Sequence, residues 1–262
     1  MGNVNGEPQH VLEAMVRLVN EYKMYVDLDL IFDSNEDFLY RQKGQLKLDN
    51  SIIEEFVPWL VRPPSVPELG TEIDVGPNKC FSAVYFSSSI TRPGRGGGLK
   101  IRSKNQDFAI SRRVHVRSSY TPDFAEYAQD QTFVAHVAAE IKTNLDKTMF
   151  QEACATAHDV KSAAPGSKYY LICEWLDMTP LSTAPTDIDE VLILRKAKRL
   201  NANLRQHFST SEGRRRHRQI FEEYLRNNPL RSAVFQRFLD HINALLREQD
   251  PGEEDVLVQG FF

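Results

Sequence analysis

Cysteine, metal-binding histidine patterns and long apolar runs are scarce in this sequence of 262 residues. Cys80, Cys154 and Cys173 stand far apart, which excludes a CxxC metal knuckle and a paired disulfide framework. No run of about 18 apolar residues could cross a membrane, and residues 1–10 lack the basic and apolar stretches of a signal peptide. The seven histidines show neither HExxH nor HNH spacing. We therefore expect reduced core thiols in a cytoplasmic protein that has no membrane partner.

The net charge of −4 conceals an uneven distribution along the chain. Residues 1–75 carry 14 acids against 6 bases, a balance of −8. Residues 90–117 carry 8 bases against one acid, and residues 195–218 carry 9 bases against one acid, balances of +7 and +8. Each basic block taken alone fits a solvated surface as well as a nucleic-acid contact. The choice between them depends on the middle of the chain.

Hydrophobic periodicity and turn residues divide the chain into three regions. Residues 1–70 are predicted to be mostly helical, with an amphipathic first helix and another near residues 51–61. Residues 71–180 contain predicted strands at 80–90, 107–117, 132–142 and 168–175, with a helix at 145–162. Residues 181–262 are predicted to be helical at 187–204, 213–227 and 230–248, as a DNA-binding or assembly region. The pattern indicates an α/β core with helical additions at both ends.

A Glu-x-Lys motif, Glu140 and Lys142, ends the apolar strand at 132–142. Strand alternation puts both side chains on one face, while Ile141 stays in the core. Carboxylates supply hard oxygen ligands to Mg²⁺, and a nearby lysine can orient an attacking water and offset charge on a phosphorane. The short motif is also common by chance as a surface ion pair. A metal site of this kind needs a second carboxylate.

Two aspartates are candidates for that second carboxylate. If residues 107–117 pair antiparallel with 132–142 around a loop at 118–131, paired positions sum to 249, and Asp107 stands opposite Lys142. Asp107 then shares a face with Glu140. The alternative ligand is Asp123, in the literal Pro-Asp of Thr121-Pro122-Asp123, which this register leaves on the loop. The register favours Asp107.

The arrangement of a carboxylate, a hairpin, Glu-x-Lys on a core strand, a helix and a further strand resembles the PD-(D/E)xK nuclease superfamily. The run EIKTNLDKTMFQ at 140–151 is similar to its type II restriction endonucleases, and within them to the Bpu-type enzymes, which use two different subunits on an asymmetric site. The resemblance covers residues 99–177. It implies a mixed four-stranded sheet flanked by helices, Mg²⁺ as cofactor, and DNA phosphodiester hydrolysis. Asp107, Glu140 and Lys142 match its catalytic positions, with Asp107 and Glu140 as metal ligands.

Several other residues are predicted to support this chemistry. Gln151 lies on the helix after the catalytic strand, where related nucleases place a polar residue, and Lys147 could contact phosphate. Arginines in both basic blocks are predicted to bind DNA, mainly through its backbone. They are Arg92, Arg95, Arg112, Arg113, Arg214, Arg215, Arg216 and Arg218.

These features predict a Mg²⁺-dependent type II restriction endonuclease that acts on double-stranded DNA. The alternatives are a repair or recombination nuclease without sequence specificity, and a DNA-binding or assembly subunit that keeps the fold without catalysis. One active site per chain predicts either a homodimer or a heterodimer with a second nuclease subunit.

Overall fold

The structure is a computed structural model that describes residues 8–247 and 253–260. The predicted lack of a signal peptide concerns residues 1–10, of which 1–7 lie outside the described residues. The predicted helix at 230–248 ends at residue 248, which also lies outside them. Helix α1 (Pro8–Met24) continues directly into a π-helical segment (Tyr25–Phe32). Two further helices precede the sheet, α2 (Asp37–Gln42) and α3 (Ser51–Leu60).

Five strands form one sheet in the order β1-β2-β3-β4-β5. They are β1 (Asp74–Phe86), β2 (Leu99–Ser119), β3 (Tyr127–Leu145), β4 (Lys168–Leu176) and β5 (Glu190–Ile193). The first three strands run antiparallel, and β4 and β5 add in parallel after helix α4 (Lys147–Ala163). The expected mixed sheet flanked by helices is confirmed, and it has five strands where the resemblance implied four.

The fifth strand corrects the predicted helix at 187–204. Val191, Leu192 and Ile193 pair in parallel with Leu171, Ile172 and Cys173 of β4. Pairing beside a buried strand overrides local helix propensity. After β5 the chain turns, and only the short α5 (Ala202–Arg205) is α-helical in that range. The remaining helices are α6 (Ser211–Asn227), α7 (Ser232–Arg247) and α8 (Glu253–Gln259).

Helices cover both faces of the sheet. On one face Phe108, Ile110 and Val137 belong to a core shared with α1, α3 and α7. On the other face Ala109, Ala138 and Tyr169 pack with Ala153 and Ala157 of α4. We call these the α3 face and the α4 face. In the part of the chain that the structure describes, no helix has the length and apolar character needed to cross a bilayer.

The thiols are free, as expected, and two of the three are fully buried. Burial raises the pKa of Cys80 to about 11. Burial also raises the pKa of Cys173, which lies on β4 and pairs with Lys142 of β3. Both thiols are therefore core groups that stay protonated at neutral pH.

The loop at 87–98 packs against the outer end of the β2-β3 hairpin. The Tyr120 hydroxyl donates to the carbonyl oxygen of Pro93 at 2.7 Å. Gly96 is buried with φ of +53°, and a Cβ there would lie 2.1 Å from the Ser118 carbonyl oxygen. Only glycine can occupy that position. Close backbone contact therefore holds this glycine-rich loop in place.

Candidate functional site

Glu140 and Lys142 form an ion pair on the inner part of β3. The Lys142 Nζ lies 2.7 Å from the Glu140 Oε1. Ile141, between them, and Ala139, just before them, are buried in the core. The Tyr169 hydroxyl, from β4, donates to the Glu140 Oε2 at 3.4 Å. Tyr169 belongs to the core under α4, so the pair lies on the α4 face. Alternation along an apolar strand places it there, as the sequence predicts.

Lys142 is held in its charged form by the two carboxylates of the site. Burial by itself lowers the pKa of Lys142, but the hydrogen bond and charge of Glu140, together with the charge of Asp107, raise the pKa above its usual value. A lysine whose pKa is raised stays protonated at neutral pH. Lys142 is therefore a fixed cation that can donate hydrogen bonds and cannot act as a general base there.

Asp107 lies directly across the hairpin from this pair. Its Oδ2 accepts a hydrogen bond from the Ile141 backbone N–H at 2.9 Å. Its Oδ1 lies 3.8 Å from the Nζ of Lys47. The structure therefore brings together the three residues that the sequence selected, Asp107, Glu140 and Lys142.

The register that achieves this differs from the one predicted. Phe108 pairs with Ala139, so one step further along the hairpin Asp107 stands opposite Glu140, where we expected Lys142. The strands are also longer than predicted: they pair out to Ser119 and Tyr127 and leave a turn of only seven residues, 120–126. A bulge in β3 at residue 136 changes the pairing sum from 246 in the outer hairpin to 247 near the site. Without the bulge, Asp107 would face Ala139 and the wrong side of the sheet.

Asp123 lies at the opposite end of this hairpin. It is exposed in the turn, where Thr121 and the Ala125 backbone N–H hydrogen-bond to its carboxylate and lower its pKa. Tyr127, at the start of β3, is 13 residues from Glu140, about 40 Å along an extended strand. That distance excludes Asp123 as a ligand shared with Glu140 in one chain, so the alternative drawn from the literal Pro-Asp is corrected.

Helix α3 and the turn before it add residues that sequence reasoning missed. The Asn50 Nδ2 donates to the Ile141 carbonyl oxygen at 2.9 Å and to Glu54 at 2.6 Å. The Lys47 Nζ lies 3.1 Å from both carboxylate oxygens of Glu54, and it is the same ammonium that approaches Asp107. The sequence predicts helix α3, but Lys47 and Asn50 contact residues 60 and 91 positions further along the chain, so no local signal singles them out.

These residues line an open cleft of about 610 Å³ between α2, α3 and the inner sheet. Its ionisable lining has six bases and three acids: Arg41, Lys43, Lys47, Lys142, Arg199 and Arg205 against Asp49, Glu54 and Asp107. The excess of positive charge favours an anionic ligand such as a phosphate backbone. Carboxylates set among these bases make a mixed site suited to a cation and a phosphate together.

A model of the Bpu10I restriction endonuclease family matches residues 45–262. The chain belongs to the Bpu10I restriction endonuclease family. It is therefore an endonuclease of the DNA-cleaving type II class. This confirms the predicted family, and the match includes α3 as well as the whole sheet. No curated protein matched the chain.

A solved structure described as the native BbvCI A2B2 tetramer at low resolution is similar to this family member. It has 19% sequence identity and a TM-score of 0.49, over 91% of this chain and 90% of that chain.

In this restriction endonuclease the arginines of α6 are largely occupied by protein contacts. Arg214 is only 1% exposed and donates to the carbonyl oxygens of Phe32, Phe208 and Ser34 at 2.6–2.9 Å. A buried side chain with these partners cannot reach DNA, so Arg214 is removed from the predicted contacts. Its role is to join α6 to the segment after the π-helix.

The other three predicted arginines of α6 lie at the surface with polar partners. Arg215 donates to Asn35 at 3.0 Å, and Arg216 pairs with Glu212 at 3.0 Å. Arg218 lies 2.8 Å from an oxygen of Asp33 and also pairs with Glu222. Ion pairs offset much of the positive charge that the sequence shows in this block.

The remaining predicted residues lie on α4 and on the outer hairpins. Lys147 and Gln151 are exposed on the first two turns of α4, and no side-chain hydrogen bond or ion pair within the described residues joins either to Glu140. Arg92 and Arg95 are exposed in the loop at 87–98. Arg112 pairs with Glu72 at 2.6 Å, and Arg113 lies over the ring of Phe133.

Proposed function

We propose that this family member hydrolyses phosphodiester bonds of double-stranded DNA with Mg²⁺, and that Asp107, Glu140 and Lys142 carry the reaction. The proposal depends on one observation: these three residues lie next to one another on neighbouring strands of the sheet. The Lys142 ammonium is 2.7 Å from Glu140, and Asp107 is tied to the intervening Ile141. The cleft beside them is lined by an excess of bases.

The donor chemistry supports a divalent cation at this point. Within the described residues no three side chains of His, Cys, Asp and Glu gather as a metal cluster. Mg²⁺ commonly takes one or two protein carboxylates and keeps waters and substrate phosphate as its other ligands. Asp107 and Glu140 provide two carboxylates, and the Lys47 ammonium between Asp107 and Glu54 is a cation that this cluster already stabilises. These residues would hold Mg²⁺, with Glu54 as a further acid at its edge.

When bound, Mg²⁺ supplies Lewis-acid polarisation of a phosphoryl oxygen and lowers the pKa of a coordinated water. Lys142, held protonated, donates to the attacking water or to the phosphate and offsets the negative charge that grows in the transition state. Tyr169 keeps Glu140 in place by a hydrogen bond. Asn50 and Asp107 fix the backbone of Ile141 from both sides, so the Glu-x-Lys segment is preorganised.

Further parts of the prediction belong to this proposal. Lys147 and Gln151 are supporting residues on the α4 side, and residues 71–180 form the nuclease core with helical regions on either side. The enzyme acts in the cytoplasm, where foreign DNA arrives. It works with a second active site, either in a homodimer or beside a different nuclease subunit. The intact catalytic set favours this function over a subunit that only binds or assembles.

A pair of matched aspartate variants tests the proposal. Asp107→Asn removes a charge at the site and should abolish Mg²⁺-dependent cutting of plasmid or genomic DNA. Asp123→Asn makes the same chemical change in an exposed turn at the far end of the hairpin and should retain wild-type cutting. Equal activity of both variants, or loss only in Asp123→Asn, would refute the assignment of Asp107.

A further inference from the structure

Six bases of β2 lie on the α4 face of the two hairpins that extend from the inner sheet. Lys104 pairs with Cys80, which belongs to the core under α4, and alternation puts Arg102 and Lys100 on the same face. Beyond the bend of β2, the buried Ala109 marks this face, and Arg113, His115 and Arg117 continue it outward. We call this set the basic face: Lys100, Arg102, Lys104, Arg113, His115 and Arg117.

Acidic side chains are directed away from the basic face in the outer hairpin. The β3 residues opposite Arg113, His115 and Arg117 are Phe133, Gln131 and Gln129, none of which is charged. Asp130 pairs with Val116 and therefore lies on the other face. Arg112, also on the other face, is neutralised by Glu72 at 2.6 Å. Side-chain alternation in the hairpin thus places unpaired bases on one face, and Asp130 with the Arg112–Glu72 pair on the other.

Three of the five lysines and arginines of the basic face have no carboxylate partner within the described residues. Asp159 of α4 pairs with Arg102 at 3.5 Å and with Lys104 at 3.0 Å. Among residues 8–247 and 253–260, no carboxylate lies within 4.0 Å of the charged groups of Lys100, Arg113 or Arg117. This differs from α6, where Arg214, Arg216 and Arg218 are engaged by protein groups. Uncompensated positive charge therefore lies on these hairpins.

Two of these arginines are also held in place by aromatic rings. The guanidinium carbon of Arg113 lies 5.2 Å from the ring centre of Phe133, and that of Arg117 lies 4.9 Å from the ring centre of Tyr127. Stacking restricts the side chain while leaving its N–H donors free, which reduces the entropy lost on binding an anion.

We propose that the basic face binds the phosphate backbone of duplex DNA away from the point of cleavage. The inference rests on the proposed function, because DNA is the substrate that would bring a row of phosphates to this surface. Arg113 and Arg117 pair with Phe133 and Gln129, which precede Glu140 by 7 and 11 residues. The contacts therefore lie roughly 20–35 Å from the catalytic pair along β3. They position the duplex without reading bases.

The test measures the affinity of the full chain for a 30-bp duplex in EDTA, by fluorescence anisotropy, at several KCl concentrations. Arg113→Gln/Arg117→Gln should weaken binding at 50 mM salt by at least about tenfold, and the slope of log affinity against log salt should fall by about 1.8 for two lost phosphate contacts. The matched control is Arg226→Gln/Arg237→Gln, which removes two charges from exposed residues of α6 and α7 that pair with Glu222 and Glu190. It should keep the wild-type slope.

The outcomes separate this inference from the proposed function. If the hairpin double variant matches the control, or if the wild-type chain does not bind the duplex at 50 mM salt, the basic face is not a DNA contact. Mg²⁺-dependent cleavage at saturating protein is measured separately, and it should survive in the hairpin variant because the catalytic residues are unchanged. Should a lower Tm show that the double variant is misfolded, Lys100→Gln replaces it. That residue is exposed, and its removal should lower the slope by about 0.9.

Discussion

Glu140 is the best-defined residue of the site because it lies between two donors that stay protonated. Burial and the negative charge of Glu140 raise the pKa of the Tyr169 hydroxyl, so it remains a hydrogen-bond donor. Burial lowers the pKa of Lys142, but the hydrogen bond and charge of Glu140 reverse that effect. The carboxylate is thereby fixed in position. A side chain held in this way can present the same oxygen geometry through repeated cycles of cleavage.

Removing either member of this pair should stop catalysis without preventing DNA binding. We expect Glu140→Gln and Lys142→Ala each to lower the single-turnover cleavage rate at least about 100-fold, because each removes a charge used in the transition state. Lys168→Ala is the control: it removes a lysine from the adjacent strand that pairs with Asp189 at 3.5 Å. Wild-type rates in either site variant would show that the Glu-x-Lys pair is only an ion pair.

A second prediction concerns the competition between Lys47 and a bound metal ion. Its ammonium lies beside Glu54 and Asp107, so a metal ion bound there must compete with it. Lys47→Met should tighten binding of Tb³⁺, measured by luminescence without DNA, by roughly 2–5-fold, the range expected for a pair whose lysine is well exposed. Lys79→Met removes an exposed lysine from β1 as a control. An unchanged or weaker Tb³⁺ affinity would mean that Lys47 does not oppose cation binding.

Several elements meet at a buried network of charges next to the active-site cleft. The Nζ of Lys23, from α1, lies 2.7 Å from Glu174 of β4 and 3.2 Å from Asp27 of the π-helical segment. Arg195, after β5, completes the set with its Nε 2.9 Å from Glu174. Lys23 also donates to the carbonyl oxygen of Asp49 at 2.5 Å, just before α3. The network therefore fixes the segment that carries Asn50 and Glu54 to β4, the strand next to β3.

Breaking this network should destabilise the whole protein. Lys23 is 1% exposed, and Lys23→Met leaves the carboxylates of Glu174 and Asp27 buried with less compensation. We expect the free energy of unfolding to fall by about 3–5 kcal/mol, measured by urea denaturation. Arg216→Ala, which breaks an exposed pair on α6, should change it by less than about 1 kcal/mol. A similar loss of unfolding free energy in both variants would show that the buried network stabilises the protein no more than an exposed ion pair does.

At the scale of the whole molecule, the proposed catalytic residues Asp107, Glu140 and Lys142 form one set in the described part of the chain. A single Asp, Glu and Lys set hydrolyses one strand at a time, so a double-strand break needs a second site or a rebinding step. A homodimer would mirror its symmetry in a palindromic recognition site. A pair of different subunits would instead suit an asymmetric site.

The cleavage products of the purified chain therefore test how the enzyme assembles. If it works beside a different subunit, it should nick supercoiled plasmid or cut it weakly, and it should gain linearisation when the second subunit is added. Gel electrophoresis of the plasmid and sedimentation of the protein report both properties. A stable dimer of this chain alone that makes clean double-strand breaks at a palindrome would exclude the two-subunit arrangement and leave the nuclease assignment intact.

Local patterns in the sequence were sufficient for the elements and for part of the site. The stripe on α4 predicts its buried Ala153, Ala157 and Val160, and the apolar run of β3 predicts its place in the core. Glu140 and Lys142 could be selected because two charged residues of one parity in such a run are unusual. These features depend on periods of two and 3.6 residues, which the chain carries by itself.

The tertiary structure alone decided the relations between distant parts of the chain. The bulge at residue 136 sets which face Asp107 occupies, because a shift of one residue reverses every side chain of a strand. Pairing with β4 turns the predicted helix at 187–204 into β5. Arg214 is buried, whereas Arg113 and Arg117 remain uncompensated, because ion pairs form between elements far apart in sequence. Sequence determines what each segment can form, and packing determines which charges meet.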